Sequence, residues 1–141
     1  MTYDNNNIFA KILRNEIPAE RIYEDDDTMV MMDIMPRADG HALVIPKTPA
    51  RNMLDATPEQ LAACLKTAQK VAHAMMQALN ADGIRIQQFN EAASGQEVFH
   101  LHYHVLPCRT GVSLRPPGIM EKPEVIKGFA DQIRDALNGF E

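Results

Sequence analysis

Hydrophobic positions along the chain recur with two different periods, and the switches between them mark out the elements. Ile8, Phe9, Ile12 and Leu13 share one side of a short helix expected over 8–14, with Asn6 or Asn7 as its cap. Arg21-Ile22-Tyr23 and Thr28 to Ile34 read as two strands joined by a tight turn, the acidic run Glu24 to Asp27 solvated at its tip. His41 to Pro46 is continuously apolar after its first residue, which suits a central strand covered on both faces. At Thr57 the period becomes helical. Thr57-Pro58-Glu59-Gln60 supplies an N-cap, a first-turn proline and a capping-box glutamine. Leu61, Cys64, Leu65, Ala68, Val71, Ala72, Met75 and Leu79 follow at helical spacing, and Asn80 and Gly83 end a helix of about 22 residues. Gly83 to Phe89 alternates as a strand, and a loop containing Gly95 returns the chain to a second alternating stretch that Pro107 should end. The two are expected to pair antiparallel. A last amphipathic helix over Glu124 to Asn138 places Val125, Phe129, Ile133 and Leu137 on one face, beside Ile126 and Ala130. The sum is an α+β domain, a twisted antiparallel sheet of about five strands covered by one long helix and shorter ones.

The second alternating stretch carries the chemistry. In Gln96-Glu97-Val98-Phe99-His100-Leu101-His102-Tyr103-His104-Val105-Leu106-Pro107, three of the chain's five histidines stand at i, i+2 and i+4. On a strand these imidazoles share one face, about 6.5–7 Å apart, and Leu101, Tyr103 and Val105 share the other. A helix would scatter them. Three uses fit such a row. It is a polar sheet face, or part of a metal site completed by ligands from elsewhere. Otherwise it is a nucleophile with its acid/base partners at a phosphorus centre, for which imidazole suits because both protonation states are accessible near neutral pH.

Composition narrows the partners. A single domain of 141 residues with a net charge of −5 lacks the basic face of a nucleic-acid binder, although a mononucleotide remains compatible with it. No apolar run reaches membrane-spanning length, and the polar stretch Thr2 to Asn7 is not a signal peptide. Two cysteines, Cys64 and Cys108, make no disulfide framework, so a cytoplasmic location is expected. The acidic run lacks the spaced ligands and glycine of a calcium loop.

His-x-His-x-His followed by two apolar residues resembles the signature of the histidine triad (HIT) superfamily of nucleotide hydrolases and transferases. The likeness extends to Asn7-Ile-Phe-Ala-Lys-Ile, Tyr23-Glu-Asp-Asp, Asp33-Ile34-x-Pro36, Gly40-His41-x-Leu43-Val44-Ile45-Pro46-Lys47 and Gly95-Gln96-x-Val98-Phe99-His100. It covers roughly residues 7 to 109 and is similar to the nucleotide-binding, purine phosphoramidase-like branch. The resemblance implies a HIT-like fold over 1–109 and a homodimer; residues 110–141 lie outside it and are expected to form a C-terminal extension whose helix packs on the same domain or on the partner. It implies attack by His102 on the α-phosphorus of a purine nucleoside phosphoramidate or related nucleotide, with His100 and His104 in support. Phe9, Ile12, Asp33, Ile34, His41, Asn90, Gln96, Glu97 and Val98 would bind the nucleotide, with Asp33 taking the ribose hydroxyls. Zinc-bearing relatives carry Cys-x-x-Cys where this chain has Asn7 and Ala10, and a histidine near Pro49. This chain has none of these residues, so no metal or other cofactor is expected. Glu97 stands where certain relatives have a serine that helps to protonate the leaving group.

Overall fold

A computed structural model describes residues 2–139. Its order is α1 (Ile8–Leu13), β1 (Arg21–Glu24), β2 (Thr28–Met32), β3 (Ala42–Pro46), α2 (Pro58–Ala78), β4 (Gly83–Gln87), a 3₁₀ turn at Ala92–Ser94, β5 (Tyr103–Cys108) and α3 (Pro123–Asn138). The five strands form one antiparallel sheet in the order β1-β2-β3-β5-β4. The fold is therefore the expected α+β arrangement.

Local chemistry explains the boundaries. Asn7 Oδ1 accepts the Ala10 N–H at 2.9 Å and opens α1. At α2, Thr57 Oγ1 accepts from Gln60 N while Gln60 Oε1 accepts from Thr57 N, a reciprocal capping box. Alternation then sorts the strand side chains. Val30, Met32, Ala42, Val44, Leu101, Tyr103 and Val105 pack with Val71, Ala74 and Met75 of α2 and with Ile133 of α3 in the main core. Met29, Met31, Leu43 and Ile45 face the other way, where Phe9 and Ile12 of α1 cover them. Because α1 is six residues long, it covers only part of that face. The uncovered part is the site.

Strands β2, β3 and β4 stop or start one or two residues inside their expected limits, and both limits of the triad strand differ from expectation. The triad stretch becomes a strand only at Tyr103, so His100 and His102 precede it. The β3–β5 register runs Ala42↔Val105, Leu43↔His104, Val44↔Tyr103; carried on, it would set Ile45 against His102 and then Pro46 against Leu101. Proline has no N–H to give the ladder. The Leu101 N–H goes instead to Ala50 O at 2.8 Å, and Pro46 O is taken by His100 Nε2 at 2.8 Å. The alternation persists without the ladder, since Leu101 stays in the core. At the other end Pro107 lies inside β5, opposite Ile84, and does not end it. Past Val105 the strand has β4 alone beside it, and such half-paired positions tolerate proline.

Gly40 has φ +87°, and a Cβ there would run into Leu79 Cδ1 and crowd Pro107. Only glycine lets the turn into β3 pass this closely over the end of α2. That turn delivers His41.

Candidate active site

An open cavity of about 460 Å³ occupies the uncovered face. Ile8, Phe9, Ile12, Ile17 and Met31 make an apolar wall, and Asp33, His41, Glu97, His102 and His104 make the polar side. Pro117 and Gly118, from the connector before α3, reach its rim.

Hydrogen bonds fix the proton on each imidazole. The Arg37 N–H points at His41 Nδ1 (3.1 Å), so that nitrogen is an acceptor and Nε2 carries the proton. His41 Nε2–H then donates to His104 Nδ1 at 2.9 Å, which leaves the proton of His104 on Nε2, on a ring that lines the cavity. His102 works in the opposite sense. Its Nδ1 lies 2.6 Å from the His100 carbonyl oxygen, which can only accept, so Nδ1 is protonated and Nε2 keeps a free electron pair. His100 donates from Nε2 to Pro46 O and accepts at Nδ1 from the Tyr3 hydroxyl, 2.5 Å away. The rings of His102 and His104 are 5.0 Å apart, closer than the row spacing of an ideal strand, and Phe9 stands edge-on to His102 at 4.9 Å.

Burial keeps all four rings neutral. It pushes His41 and His100 down to about 4, with charge repulsion from Arg37 and His102 adding at His41. It takes His104 to about 3, helped by His102, His41 and Arg37. His102 is lowered too, by burial, against its bond to the His100 carbonyl. The Asp33 carboxyl moves the other way: burial raises it, the Met35 N–H bond opposes this, and the charge of Glu97 adds to it. Its Oδ2 is 3.5 Å from His41 Nε2.

Ligand atoms of Asp33, His41 and His104 lie within 4.8 Å of one another, a spacing that invites a cation. The proton arrangement argues against one. To coordinate through Nε2, neutral His41 would have to carry its proton on Nδ1, against the Arg37 N–H. The set fits a shared proton better than an ion. The positions of the zinc thiolates in relatives are likewise committed, Asn7 to the helix cap and Ala10 to a buried packing position.

The sequence-derived residues divide into two groups. Phe9, Ile12, Asp33, Ile34, His41, Glu97, Val98, His102 and His104 all line the cavity. His100 sits behind them, with no exposed surface. Asn90 and Gln96 are not on the lining. Gln96 is buried: its Oε1 accepts from Glu91 N and Asn52 Nδ2, and its Nε2 donates to Arg51 O and Val98 O. Asn90 is held by Gln88, Ser94 and the Met53 N–H. Both brace the loop that carries Glu97 and Val98. Sequence reasoning missed Tyr3, Arg37 and the clamp in which Arg51 and Asn52 donate to the Glu91 carboxylate. Glu91 is held at φ +76°, an unusual conformation for a non-glycine residue that the clamp holds in place.

Three imidazoles and two carboxylates edge an apolar cavity on this sheet, with a fourth imidazole, His100, buried behind them, and that is the arrangement of a histidine-triad protein. The HIT domain model matches residues 14–111, and the chain belongs to that family. It is similar to the crystal structure of a Hit-like protein involved in cell-cycle regulation from Bartonella henselae, at 54% identity and a TM-score of 0.92 over 96% of this chain and 99% of that one. An uncharacterised HIT-like protein of Mycobacterium tuberculosis is 40% identical over 107 residues, 76% of this chain and 74% of the relative. The adenylylsulfatase HINT3 of Arabidopsis thaliana is 34% identical over 106 residues, 75% of this chain and 54% of that longer protein.

Proposed function

We propose that this protein is a nucleotidyl-transferring hydrolase that cleaves purine nucleoside phosphoramidates or related nucleotides at the α-phosphorus. The observation that carries this reading is the His102 tautomer: a protonated Nδ1 tied to a backbone carbonyl leaves Nε2 as a nucleophile on the cavity wall. His102 Nε2 attacks phosphorus, and the bond from phosphorus to the leaving nitrogen breaks. The His104 Nε2–H hydrogen-bonds the departing nitrogen, which leaves as the amine with a proton taken from solvent, and that proton is returned when water attacks the intermediate. A nucleotidyl-His102 intermediate remains, and water then cleaves its phosphorus–nitrogen bond. Backbone N–H groups at Glu97 and Val98 stabilise charge on the phosphoryl oxygens. The apolar wall around Phe9 and Ile12 takes the flat base, and Asp33 takes the ribose hydroxyls. No step requires a metal or other cofactor.

The reading includes a cytoplasmic homodimer. Arg134 of α3 donates to the Arg21 carbonyl and blocks the β1 edge, whereas β4 is the other edge and leaves Ile86 exposed. A second copy pairing there removes an open strand edge. No helix among the described residues is long and apolar enough to cross a membrane.

The test is intact-protein and peptide mass spectrometry after rapid quench with adenosine and guanosine phosphoramidates, adenylyl sulfate and dinucleoside polyphosphates. A nucleotidyl adduct on His102 is expected. Turnover with the adduct on another residue, or activity abolished by chelators, would overturn the scheme.

A further inference from the structure

We infer that Tyr3 is a positioning residue for the nucleophile: its hydroxyl, donated to His100 Nδ1, holds the residue whose carbonyl orients His102. The inference rests on the nucleophilic role of His102 proposed above.

His100 has no exposed surface, so each of its ring nitrogens needs a partner inside the protein. Pro46 O accepts and therefore fixes the proton on Nε2, which makes Nδ1 an acceptor in need of a donor. Tyr3 Oη, 2.5 Å away, is that donor, and its ring meets the imidazole edge-on at 5.7 Å. Burial raises the Tyr3 phenol, so it keeps its proton over the working range. The contact joins residues 97 positions apart. Tyr3 precedes the stretch 14–111 that defines the family. The strap bearing it is itself tied down: Asn6 N–H donates to Asp4 Oδ1, Arg14 Nη1 to Asn5 O, and Arg51 Nη1 to Thr2 O.

The consequence passes through one atom. The His100 carbonyl that receives His102 Nδ1–H belongs to the same residue that Tyr3 and Pro46 grip by its ring. Without the hydroxyl, Nδ1 is a buried acceptor with no donor, and the ring relieves this by turning or admitting water. Either motion shifts the carbonyl and with it the direction of His102 Nε2. Near-attack geometry is sensitive to shifts well below 1 Å, so the loss should appear in the chemical step, about tenfold, more than in binding.

The experiment compares full-length wild type, Tyr3→Phe and Tyr3→Gln, the last keeping an N–H donor without the ring. Tyr3→Phe should lower kcat about tenfold with KM within about twofold, and Tyr3→Gln should recover part of the loss. Imidazole ¹⁵N spectra of the ligand-free proteins should show His102 protonated on Nδ1 in wild type, and altered His100 and His102 signals in Tyr3→Phe. A lowered melting temperature with unchanged kcat and unchanged imidazole signals would overturn the inference, as would failure of both variants to fold. If wild type turns over none of the nucleotides, the proposed reaction fails, while the imidazole spectra still decide the role of Tyr3.

Discussion

His41 Nε2 stands 2.9 Å from His104 Nδ1, and the backbone N–H of Arg37 fixes the direction in which their proton points. One main-chain donor thus sets the protonation pattern of two rings, and the outer one lines the cavity with its Nε2–H available to a ligand. His41→Ala should release that constraint and lower kcat for substrates with poor leaving groups by about 10²-fold, with a smaller loss where the leaving group needs no proton. A leaving-group series measures this, and an equal loss across the series would refute it.

His102→Asn removes the nucleophile while keeping a polar side chain of similar reach. Turnover should fall by about 10³-fold or more and the adduct should vanish, with nucleotide affinity retained within a few-fold. Quench-flow mass spectrometry and calorimetric titration measure the two separately.

Stability should depend on pH through the buried rings. His41 and His100 titrate near 4 and His104 near 3 when folded, against about 6.5 when unfolded. Between these values the unfolded chain binds more protons, so the folded state loses stability as pH falls below about 6.5, by several kcal/mol in total by pH 4. Above pH 7 these rings contribute no slope. Urea melts from pH 4 to 8 should show this, and a flat profile across the acid limb would contradict the burial of neutral imidazoles.

Gly40→Ala should cost about 2–4 kcal/mol, since it combines a positive φ with a collision at Leu79. The same variant should raise KM, because the displaced turn carries His41. Denaturant melts and steady-state kinetics read the two effects.

Breaking the Arg51–Glu91 clamp should loosen the loop that bears Glu97 and Val98. Glu91→Ala is expected to raise KM several-fold and to speed amide exchange over residues 91–98. Unchanged exchange there would show that Gln96 braces the loop unaided.

The sequence alone determined the fold class, the two-faced alternation and the family. Capping box, helical stripe and alternating strands are local signals, read from neighbours a few positions apart, and the two-faced alternation of the His-x-His-x-His stretch survives where the β3–β5 ladder stops at Tyr103. It could not determine which residues brace the site. Tyr3 meets His100 across 97 positions and Arg51 meets Glu91 across 40. Asn90 and Gln96 prove to serve the loop rather than the cavity lining. Nor could it assign the tautomers, because each imidazole's proton is placed by whichever carbonyl or N–H packing brings beside it. Those partners are backbone groups of Arg37, Pro46 and His100, and every residue type has a carbonyl. Only the tertiary fold, by choosing which of them faces which ring, decides which ring keeps a free electron pair and which presents an N–H among identical side chains.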